Sequence, residues 1–453
     1  MRSRLRPAFR RRCAGAVFIV VTWVILVLVA LVLAFAREAR VQMAASANHV
    51  AELQADSTAQ AARQYVISQV TGSKGTLTTN TEKGYEAVKV GNGYFWLLKP
   101  DPDDSTTYAY GITGEAAKVN LNTADATMLA ALPDATAQLA GGIVDWRDAD
   151  DTVSANGVES EYYLLLSDPY RCKNANLETV DELLLIHGAS QAIYVGEDTN
   201  RNGVLDPNEN DGDTTPPSDN RDGILDRGLL PYATVYSSEP NTQSDGTART
   251  NVNQDDAALL SLLTTKLGSS SRAARIVEKA ASGRPFANVL DFYVKSGMTA
   301  EEFAKVADAL TTSRETTLTG LVNVNTAPKQ VLRCLPGLEE SDVSQLLATR
   351  KASTTDLTNL AWVASTLTKE KAVAIGSVIT TKSYQFSVDI VAASADGRAF
   401  RRYYAVVDAS KSAARLLYWK DLTSLGWPLA PQVLTAMRKG TAPTASTTTV
   451  SGG

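Results

Sequence analysis

Residues 16–36 read AVFIVVTWVILVLVALVLAFA, an apolar run of 21 residues that carries no charge. A helix of this length can cross the hydrocarbon core of a bilayer, which takes about 20 apolar residues. Six arginines precede the run, whereas only Arg37 and Arg40 follow it closely, and Glu38 offsets one of them. The positive-inside rule therefore predicts a single membrane span over residues 16–36, with a cytoplasmic N-terminus and an exported body.

The helical pattern continues beyond the apolar run. No glycine or proline interrupts residues 37–70, so we predict one N-terminal helix over residues 16–70. A cleaved secretory signal would instead end in a small-residue cleavage site and a break. A lipoprotein would carry its cysteine after the run, whereas Cys13 precedes it. The other two cysteines, Cys172 and Cys334, could form one disulfide, which the sequence leaves open.

The rest of the chain is acidic and lacks an evident catalytic group. The formal charge of the 453 residues is −5, and the six arginines before the run contribute +6, which leaves −11 on the remainder. This charge argues against a general nucleic-acid binder. His49 and His187 are far apart in sequence, and Asp150 and Asp151 fit a solvated loop end better than a hydrolase pair. We therefore predict that the protein is not an enzyme.

Strand patterns occur near both ends of the exported part. They cover residues 94–98 and 107–110 after the helix, and residues 384–391, 400–407 and 414–419 near the other end, with a turn at Gly397. This arrangement predicts one α+β domain that is split in sequence. We assign it residues 71–117 and 375–437, a helical insertion at 118–374, and a disordered tail at 438–453 that is rich in Ser, Thr and Gly.

An Asn-apolar-Asn motif occurs three times in the insertion, near residues 119, 250 and 322. The three copies are Asn120-Leu121-Asn122, Asn251-Val252-Asn253 and Asn323-Val324-Asn325. A helix-friendly run follows each copy, so we expect the second Asn to cap a helix and each repeat to open a helical hairpin. The insertion is thus predicted to contain helix-hairpin-helix or SAM-like units.

The N-terminus resembles the class III signal of the type IV pilin family. A basic leader, residues 1–15, ends in Cys13-Ala14-Gly15, and the apolar helix starts at Ala16. The resemblance implies that a prepilin peptidase cleaves between Gly15 and Ala16 on the cytoplasmic face. Most members carry Glu at the fifth position after cleavage, where it is thought to pair with the terminal ammonium of an adjacent subunit. This chain has Val20 there instead. The absence of Glu at this position is a feature of the K-type minor pseudopilin.

Several separated motifs also resemble, in the same order, the first helical domain of the general secretion pathway K protein. They are Asn120-Leu121-Asn122, residues 145–151 (DWRDADD), residues 161–163 (EYY), residues 169–174 (PYRCKN) and residues 180–183 (VDEL). The resemblance implies a pilin-like long helix packed on a small antiparallel sheet. It also implies a single-pass protein of the bacterial inner membrane with a periplasmic bulk.

The same resemblance implies a role in assembly and not in catalysis. A member of this family would stand at the tip of the type II secretion pseudopilus, needed for its assembly and for export of folded proteins across the outer membrane. Its partners would be the I-type and J-type minor pseudopilins, the pseudopilus and the inner-membrane secretion platform. A membrane-anchored calcium-dependent adhesin or enzyme is a more distant alternative.

A second alternative is a competence or type IV pilus-like minor pilin that binds DNA. Residues 323–328 and Leu335-Pro336-Gly337-Leu338 resemble the helix-hairpin-helix of exported DNA-uptake proteins. A DNA-binding hairpin presents backbone N–H groups of a Gly-x-Gly turn, with basic residues beside it. Here the second glycine is missing and Glu339 and Glu340 follow the turn. We therefore expect no nucleic-acid binding.

The segment from Asp198 to Glu209 matches the twelve-residue calcium-loop template at every expected position. Gly203 allows the sharp turn at the sixth position. The predicted ligands are Asp198, Asn200, Asn202, the carbonyl of Val204, Asp206 and Glu209. We expect one structural calcium ion that orders the loop region 194–232.

A partial second copy begins twenty residues later, and its candidate ligands are Asn220, Asp222, Ile224 and Asp226. Ser218 and Leu229 occupy its first and last ligand positions, so this copy is incomplete unless Asp219, Asp211 or Asp213 substitutes. A second calcium ion and an acidic solvated turn both remain open.

Overall fold

The computed structural model describes residues 14–77, 84–254 and 256–443. Most of the predicted leader and of the predicted tail lies outside these residues. The helices are α1 Ala14–Val70, α2 Ala126–Ala130, α3 Ala137–Arg147, α4 Ser160–Tyr163, α5 Gln191–Val195, α6 Asp256–Leu267, α7 Ser270–Ala281, α8 Val289–Ser296, α9 Ala300–Val306, α10 Lys329–Leu332, α11 Glu340–Lys351, α12 Ala361–Thr366, α13 Lys369–Ile375 and α14 Pro431–Arg438. The strands are β1 Val88–Val90, β2 Gly93–Leu98, β3 Thr113–Gly114, β4 Val119–Asn120, β5 Ala233–Thr234, β6 Ser238–Pro240, β7 Thr250–Asn251, β8 Leu310–Thr311, β9 Thr317–Thr319, β10 Val322–Asn323, β11 Ile379–Thr380, β12 Gln385–Ser394, β13 Phe400–Asp408 and β14 Arg415–Asp421.

Helix α1 is exposed over its first half and packs on the sheet over its second half. Its 57 residues extend about 85 Å at 1.5 Å per residue. Among the described residues it is the one helix long and apolar enough to cross a bilayer. Side chains at residues 16–50 are almost all exposed, and a buried stripe then follows at helical spacing. That stripe consists of Ala51, Ala55, Ala59, Ala62, Val66 and Val70.

Small side chains allow α1 to lie close to the sheet. A Cβ atom on Gly93 of β2 would sit 2.1 Å from the Thr58 hydroxyl oxygen, so any side chain at that position would push the helix away. The Thr58 hydroxyl in turn donates to the Gln54 carbonyl, 2.7 Å away, within the helix. The predicted long N-terminal helix is confirmed.

One antiparallel sheet joins the two ends of the exported chain. Its order is β1-β2-β12-β13-β14, and β3 also pairs with β12. Central strand β12 is buried along its whole length, with Ile390 opposite Leu97 of β2 and Tyr403 of β13. The predicted α+β fold is therefore confirmed. The apolar side chains between this sheet and α1 form one core, and those of the insertion form another.

The predicted strand at residues 107–110 is wrong. Of these residues only Tyr110 makes a bridge, to Leu98 of β2. The preceding segment turns instead of extending, because the carboxylate of Asp104 accepts from the backbone N–H and hydroxyl of Thr106 and from the hydroxyl of Thr107.

Each Asn-apolar-Asn motif starts with a two-residue parallel bridge. Strands β4, β7 and β10 pair with β5, β8 and β11, respectively. The first Asn of each motif then turns the chain, because its side-chain oxygen accepts from the backbone N–H two residues later. These distances are 2.9 Å at Asn120, 2.9 Å at Asn251 and 3.0 Å at Asn323. The three repeats therefore share the same side-chain-to-backbone hydrogen bond at the first Asn.

The second Asn of the motif does not cap a helix, which corrects our expectation. Asn122 exchanges two hydrogen bonds with the backbone of Leu177 (2.9 and 2.8 Å), and Asn253 does the same with Phe286 (3.0 and 2.9 Å). Asn325 donates to the carbonyl of Leu357, 2.7 Å away. The side-chain amide of the second Asn thus binds the backbone of a later segment that returns to the motif. The classification of these units as helix-hairpin-helix or SAM-like stays a prediction.

Cys172 and Cys334 are buried and unpaired. The thiol of Cys172 donates to the carbonyl of Asp145 (3.4 Å), and that of Cys334 donates to the carbonyl of Gln330 (3.2 Å). The structure therefore contains no disulfide between these two residues.

Candidate functional site

Hydrogen bonds within the first predicted calcium loop involve four of its predicted ligands. The carboxylate of Asp198 accepts from the backbone N–H groups of Asn202 (2.9 Å) and Gly203 (3.0 Å). The amides of Asn200 and Asn202 both donate to Oδ2 of Asp206, at 2.7 and 2.9 Å. These hydrogen bonds link side chains at alternate positions of the loop, and the binding of calcium by them stays a prediction.

Glu209 closes the loop from its last position. It ends a short 3-10 helix, Pro207–Glu209, and its Oε2 accepts from the N–H of Asp206 at 3.1 Å. Its Oε1 is buried and has no hydrogen-bond partner among the described residues. Burial raises the pKa of Glu209 to about 8, and the carboxylates of Asp198 and Asp206 add to that rise.

In the part of the chain that the structure describes, the guanidinium groups of Arg227 and Arg402 lie near enough to Asp198 to oppose the rise of its pKa. No ion pair there involves Asp198, Asp206 or Glu209. Burial also raises the pKa of Asp198 to about 6. Buried carboxylates are costly unless they are paired, protonated or bound to a metal. The donor set, all hard oxygens with one orphaned oxygen, fits calcium.

Gly203 lets the loop lie against the segment after β2. Its φ of +74° is in the left-handed region, and a Cβ atom there would lie 2.4 Å from Pro100. The N–H of Leu205 donates to the carbonyl of Ser105, 2.9 Å away. Any other residue at position 203 would therefore strain the turn and displace the loop.

Two buried arginines, which the sequence analysis did not identify, hold the loop on the sheet domain. Arg402 of β13 donates to the carbonyls of Asn200 (2.6 Å) and Arg201 (2.7 Å). Arg227 donates to the carbonyl of Gly203 at 2.7 Å. The signal for Arg402 was a charged residue within an otherwise strand-forming segment. The sequence does not indicate that its partners are the carbonyls of Asn200 and Arg201.

The second loop copies the first only in part. The N–H of Asp222 donates to Asn220 (2.9 Å) and that of Ile224 donates to Asp222 (2.8 Å), as the equivalent residues of the first loop do. Ile224 is 68% exposed. The Oδ2 atom of Asp219, considered above as a substitute ligand, accepts hydrogen bonds from the N–H groups of residues 211 and 212.

Glu197 joins the two loops. Its carboxylate accepts from the N–H groups of Asn220 (3.3 Å) and Asp226 (3.2 Å), and its own N–H donates to the carbonyl of Asp226 (2.8 Å). The loops therefore form one unit, in which ordering of the first restrains the second.

The basic residues near the third hairpin are engaged within the protein. Lys329 and Arg333 both pair with Glu340, at 2.5 and 3.2 Å. Arg350 donates to the carbonyls of Val324 (3.1 Å) and Ala327 (2.6 Å). These cations are consequently not directed together toward an external phosphate.

The predicted processing site lies at the start of α1. The backbone of Gly15 and Ala16 is helical, and cleavage between them stays a prediction. Val20 is exposed on the same helix.

Comparisons with known proteins place two parts of the insertion in one family. Residues 118–195 match a model for the first domain of "Type II secretion system (T2SS), protein K", and residues 322–375 match a second model with that description. A type II secretion system protein K of Pectobacterium carotovorum subsp. carotovorum is 34% identical over 61 residues. That alignment covers 14% of this chain and 19% of the relative, so the matched part spans about a fifth of the relative's length.

A crystal structure described as the GspK-GspI-GspJ complex of the enterotoxigenic Escherichia coli type 2 secretion system is similar over 85% of this chain and 99% of the solved chain, with a TM-score of 0.40 and 11% identity. The similarity to this family depends on the two sequence models, which match separate repeats of the same insertion. Residues 118–195 and 322–375 of this chain are thus similar to the type II secretion system protein K family.

Proposed function

We propose that this protein is the minor pseudopilin at the tip of the type II secretion pseudopilus, needed for pseudopilus assembly and thus for export of folded proteins across the outer membrane. The observation that carries the proposal is the division of α1. Its first half is apolar and exposed, whereas its second half is built into the sheet domain. An exposed apolar helix of this length requires lipid or other helices around it.

Val20 supports the position at the tip. In a stack of pilin-like helices, a carboxylate at this depth is tolerable when a neighbouring terminal ammonium pairs with it. Val20 offers no carboxylate, so this subunit makes no such pair with a subunit above it. It acts by assembly and not by catalysis.

The attachment of the insertion to the sheet supports a rigid head on that helix. Lys118, fully enclosed at the start of the insertion, donates to Glu115 (2.6 Å), to Ser387 of β12 (3.2 Å) and to the Tyr404 hydroxyl of β13 (3.2 Å). Glu115 also accepts from Thr234, at the end of the first repeat. Breaking the buried contacts of Lys118 would be costly. The insertion, which forms the head, therefore moves together with the sheet and α1.

We further propose that the first loop binds one structural calcium ion through Asp198, Asn200, Asn202, the Val204 carbonyl, Asp206 and Glu209. The ion adds positive charge beside the buried carboxylates of Asp198 and Glu209, whose pKa values burial raises. Loops of this kind in exported proteins bind calcium with Kd of about 10⁻⁴ to 10⁻³ M, which matches the external supply. A second ion in the partial loop would use Asn220, Asp222, the Ile224 carbonyl and Asp226.

The proposed partners are the I-type and J-type minor pseudopilins, which would pack along the exposed part of α1, and the inner-membrane platform. A prepilin peptidase would cleave between Gly15 and Ala16 on the cytoplasmic side, leaving the body in the periplasm. No specific contact favours DNA binding. The engagement of Lys329 and Arg333 by Glu340 supports setting that alternative aside.

The test is co-purification of the full-length chain in detergent with the I-type and J-type pseudopilins of its own secretion system. We expect a stable complex that Leu53→Asp, on the exposed apolar side of α1, disrupts. Gln60→Asp places the same acid at an exposed polar position of that helix and should leave the complex intact. A chain that purifies without either pseudopilin, while secretion proceeds normally, would contradict the proposal. Salt-dependent retention of DNA would favour the competence alternative.

A further inference from the structure

A cavity of about 220 Å³ lies where the insertion meets the sheet. The first repeat lines it with Asp181 and with Tyr194 of α5, and the segment after β5 lines it with Tyr236. The sheet contributes Tyr404 of β13 and Tyr418 of β14. The cavity therefore exists only when the insertion and the sheet are assembled.

The wall of the cavity is mainly apolar. The rings of Tyr236 and Tyr418 lie 6.1 Å apart, and those of Tyr404 and Tyr418 lie 6.4 Å apart in an edge-to-face arrangement. The other apolar side chains of the wall include Leu98, Val195, Leu230, Pro231, Val388 and Leu422. Because an apolar wall holds water weakly, the cavity favours an apolar guest over water.

Two pairs of charged side chains in the wall compensate each other. Lys118 pairs with Glu115 at 2.6 Å, and Lys420 pairs with Asp181 at 2.7 Å. A neutral guest is therefore favoured over an ion, which would give up its hydration without gaining an unpaired partner at these positions. The side chains of Lys420 and Asp181 are 33% and 31% exposed, so a ligand can reach the cavity beside this pair.

Tyr236 differs from the other three tyrosines in its hydroxyl. Tyr194 and Tyr418 donate to Asp181, at 2.6 and 3.0 Å, and the hydroxyl of Tyr404 accepts from Lys118 at 3.2 Å. No hydrogen bond within the described part of the chain involves the hydroxyl of Tyr236. Burial raises the pKa of Tyr236, so this hydroxyl stays protonated at neutral pH and can donate to a ligand.

The volume of the cavity limits the size of the guest. An apolar cavity of about 150 Å³ binds benzene, whereas pockets for drug-sized ligands start at about 300 Å³. A cavity of about 220 Å³ therefore has room for one substituted aromatic ring.

We propose that this cavity binds a neutral small molecule made of one aromatic ring with a hydrogen-bonding substituent, such as a phenol. The ring packs against the tyrosines in edge-to-face or offset contacts, and the hydroxyl of Tyr236 binds the substituent. The ligand thereby contacts the first repeat and the sheet at once. This site does not depend on the proposed place of the protein in the pseudopilus.

Fluorine NMR with 4-fluorophenol, on the full-length protein in detergent at a fixed calcium concentration, tests the proposal. A sample of detergent alone gives the contribution of the micelles. We expect saturable binding of one molecule per chain. Tyr236→Phe should weaken this binding about 2- to 10-fold, the effect of one hydrogen bond. The same variant should bind fluorobenzene as the parent does, because this probe has no hydroxyl. Tyr162→Phe, which alters a partly exposed tyrosine of α4, is the matched control and should change neither affinity.

Filling the cavity should abolish the binding of both probes. Ala233 is buried in the wall, so Ala233→Leu places a larger side chain in the space of the ligand, and thermal melting shows whether this variant is folded. If it is not, Ala117→Val, also in the wall, takes its place. Binding by the parent that does not exceed that of the micelles, or binding that persists in the folded cavity-filling variant, would overturn the proposal. Equal weakening of both probes by Tyr236→Phe would overturn the assigned class of ligand.

Discussion

Arg402 and Asp389 face each other across β13 and β12, with 2.5 Å between Nη2 and Oδ2, and the guanidinium is fully enclosed. The same guanidinium binds the backbone of the first calcium loop. One buried ion pair therefore connects the middle of the sheet to the loop about 200 residues earlier in the chain.

We expect Arg402→Gln to lower the free energy of unfolding by about 3–5 kcal/mol, since it leaves the buried carboxylate of Asp389 without a partner. Arg401→Gln is the matched control. Arg401 pairs with Asp56 of α1 at 2.7 Å, but both side chains are partly exposed, so its loss should cost about 0–1 kcal/mol. Denaturant unfolding of the full-length protein in detergent measures both. Equal losses would mean that the buried pair contributes no more than the surface pair.

Calcium should stabilise the folded protein through the loop. With Kd of about 10⁻⁴ to 10⁻³ M, 10 mM Ca²⁺ should add about 1–3 kcal/mol. Glu209→Gln should remove much of that gain, because it converts the buried carboxylate that the template assigns as the bidentate ligand to a neutral amide. The readout is the calcium-dependent shift in melting temperature. A shift of the same size in Glu209→Gln and in the parent would argue against this loop as the site.

One ion pair of the insertion should make it sensitive to acid. Arg272 of α7 binds both carboxylate oxygens of Glu302 on α9, each at 2.7 Å. The hydrogen bond from Arg272 lowers the pKa of Glu302 to about 2. The folded-state pKa is thus depressed, so the stabilisation is present above the ordinary glutamate pKa and is lost as pH falls toward 2.

This pair should contribute about 1 kcal/mol at neutral pH, because it is partly exposed to solvent. Glu302→Gln should lower stability at pH 7 and remove that part of the acid dependence. Glu301→Gln alters the exposed neighbouring glutamate and serves as the control. The test is to measure the melting temperatures of both variants and of the parent protein from pH 7 to pH 2. Parallel pH profiles for Glu302→Gln and the parent would contradict the assignment.

Processing of the N-terminus should depend on a prepilin peptidase. We expect the membrane form to begin at Ala16 when the peptidase is present and to retain residues 1–15 when it is absent. Mass analysis of the intact protein distinguishes the two forms. An unprocessed chain in the presence of the peptidase, or cleavage beyond Ala36, would contradict the pseudopilin proposal.

The features that could be predicted from the sequence are those with local causes. Helix α1 follows from an apolar run and from the absence of glycine and proline, and β12, β13 and β14 begin within one residue of their predicted starts. The predicted ligand positions of the first loop also lie in one short segment, so the hydrogen bonds among them have a local cause.

The features that were missed depend on distant parts of the chain. A capping preference suggested that Asn122 would start a helix, yet the backbone of Leu177 takes its amide. Arg402 looked like a polar residue of a strand, and its role depends on Asn200 and Arg201. Both contacts require a distant segment of the chain to fold back on the residue. Residue types alone do not specify such returns.

The pairing of β2 with β12 sets an order of events during synthesis. Leu97 lies opposite Ile390, so roughly 290 residues must follow β2 before its partner exists, which takes about 15–60 s at 5–20 residues per second. During that time β2 has no partner on the side where β12 will pair, and the insertion can fold before β12 is synthesised. The insertion can therefore fold before the sheet that carries it is complete.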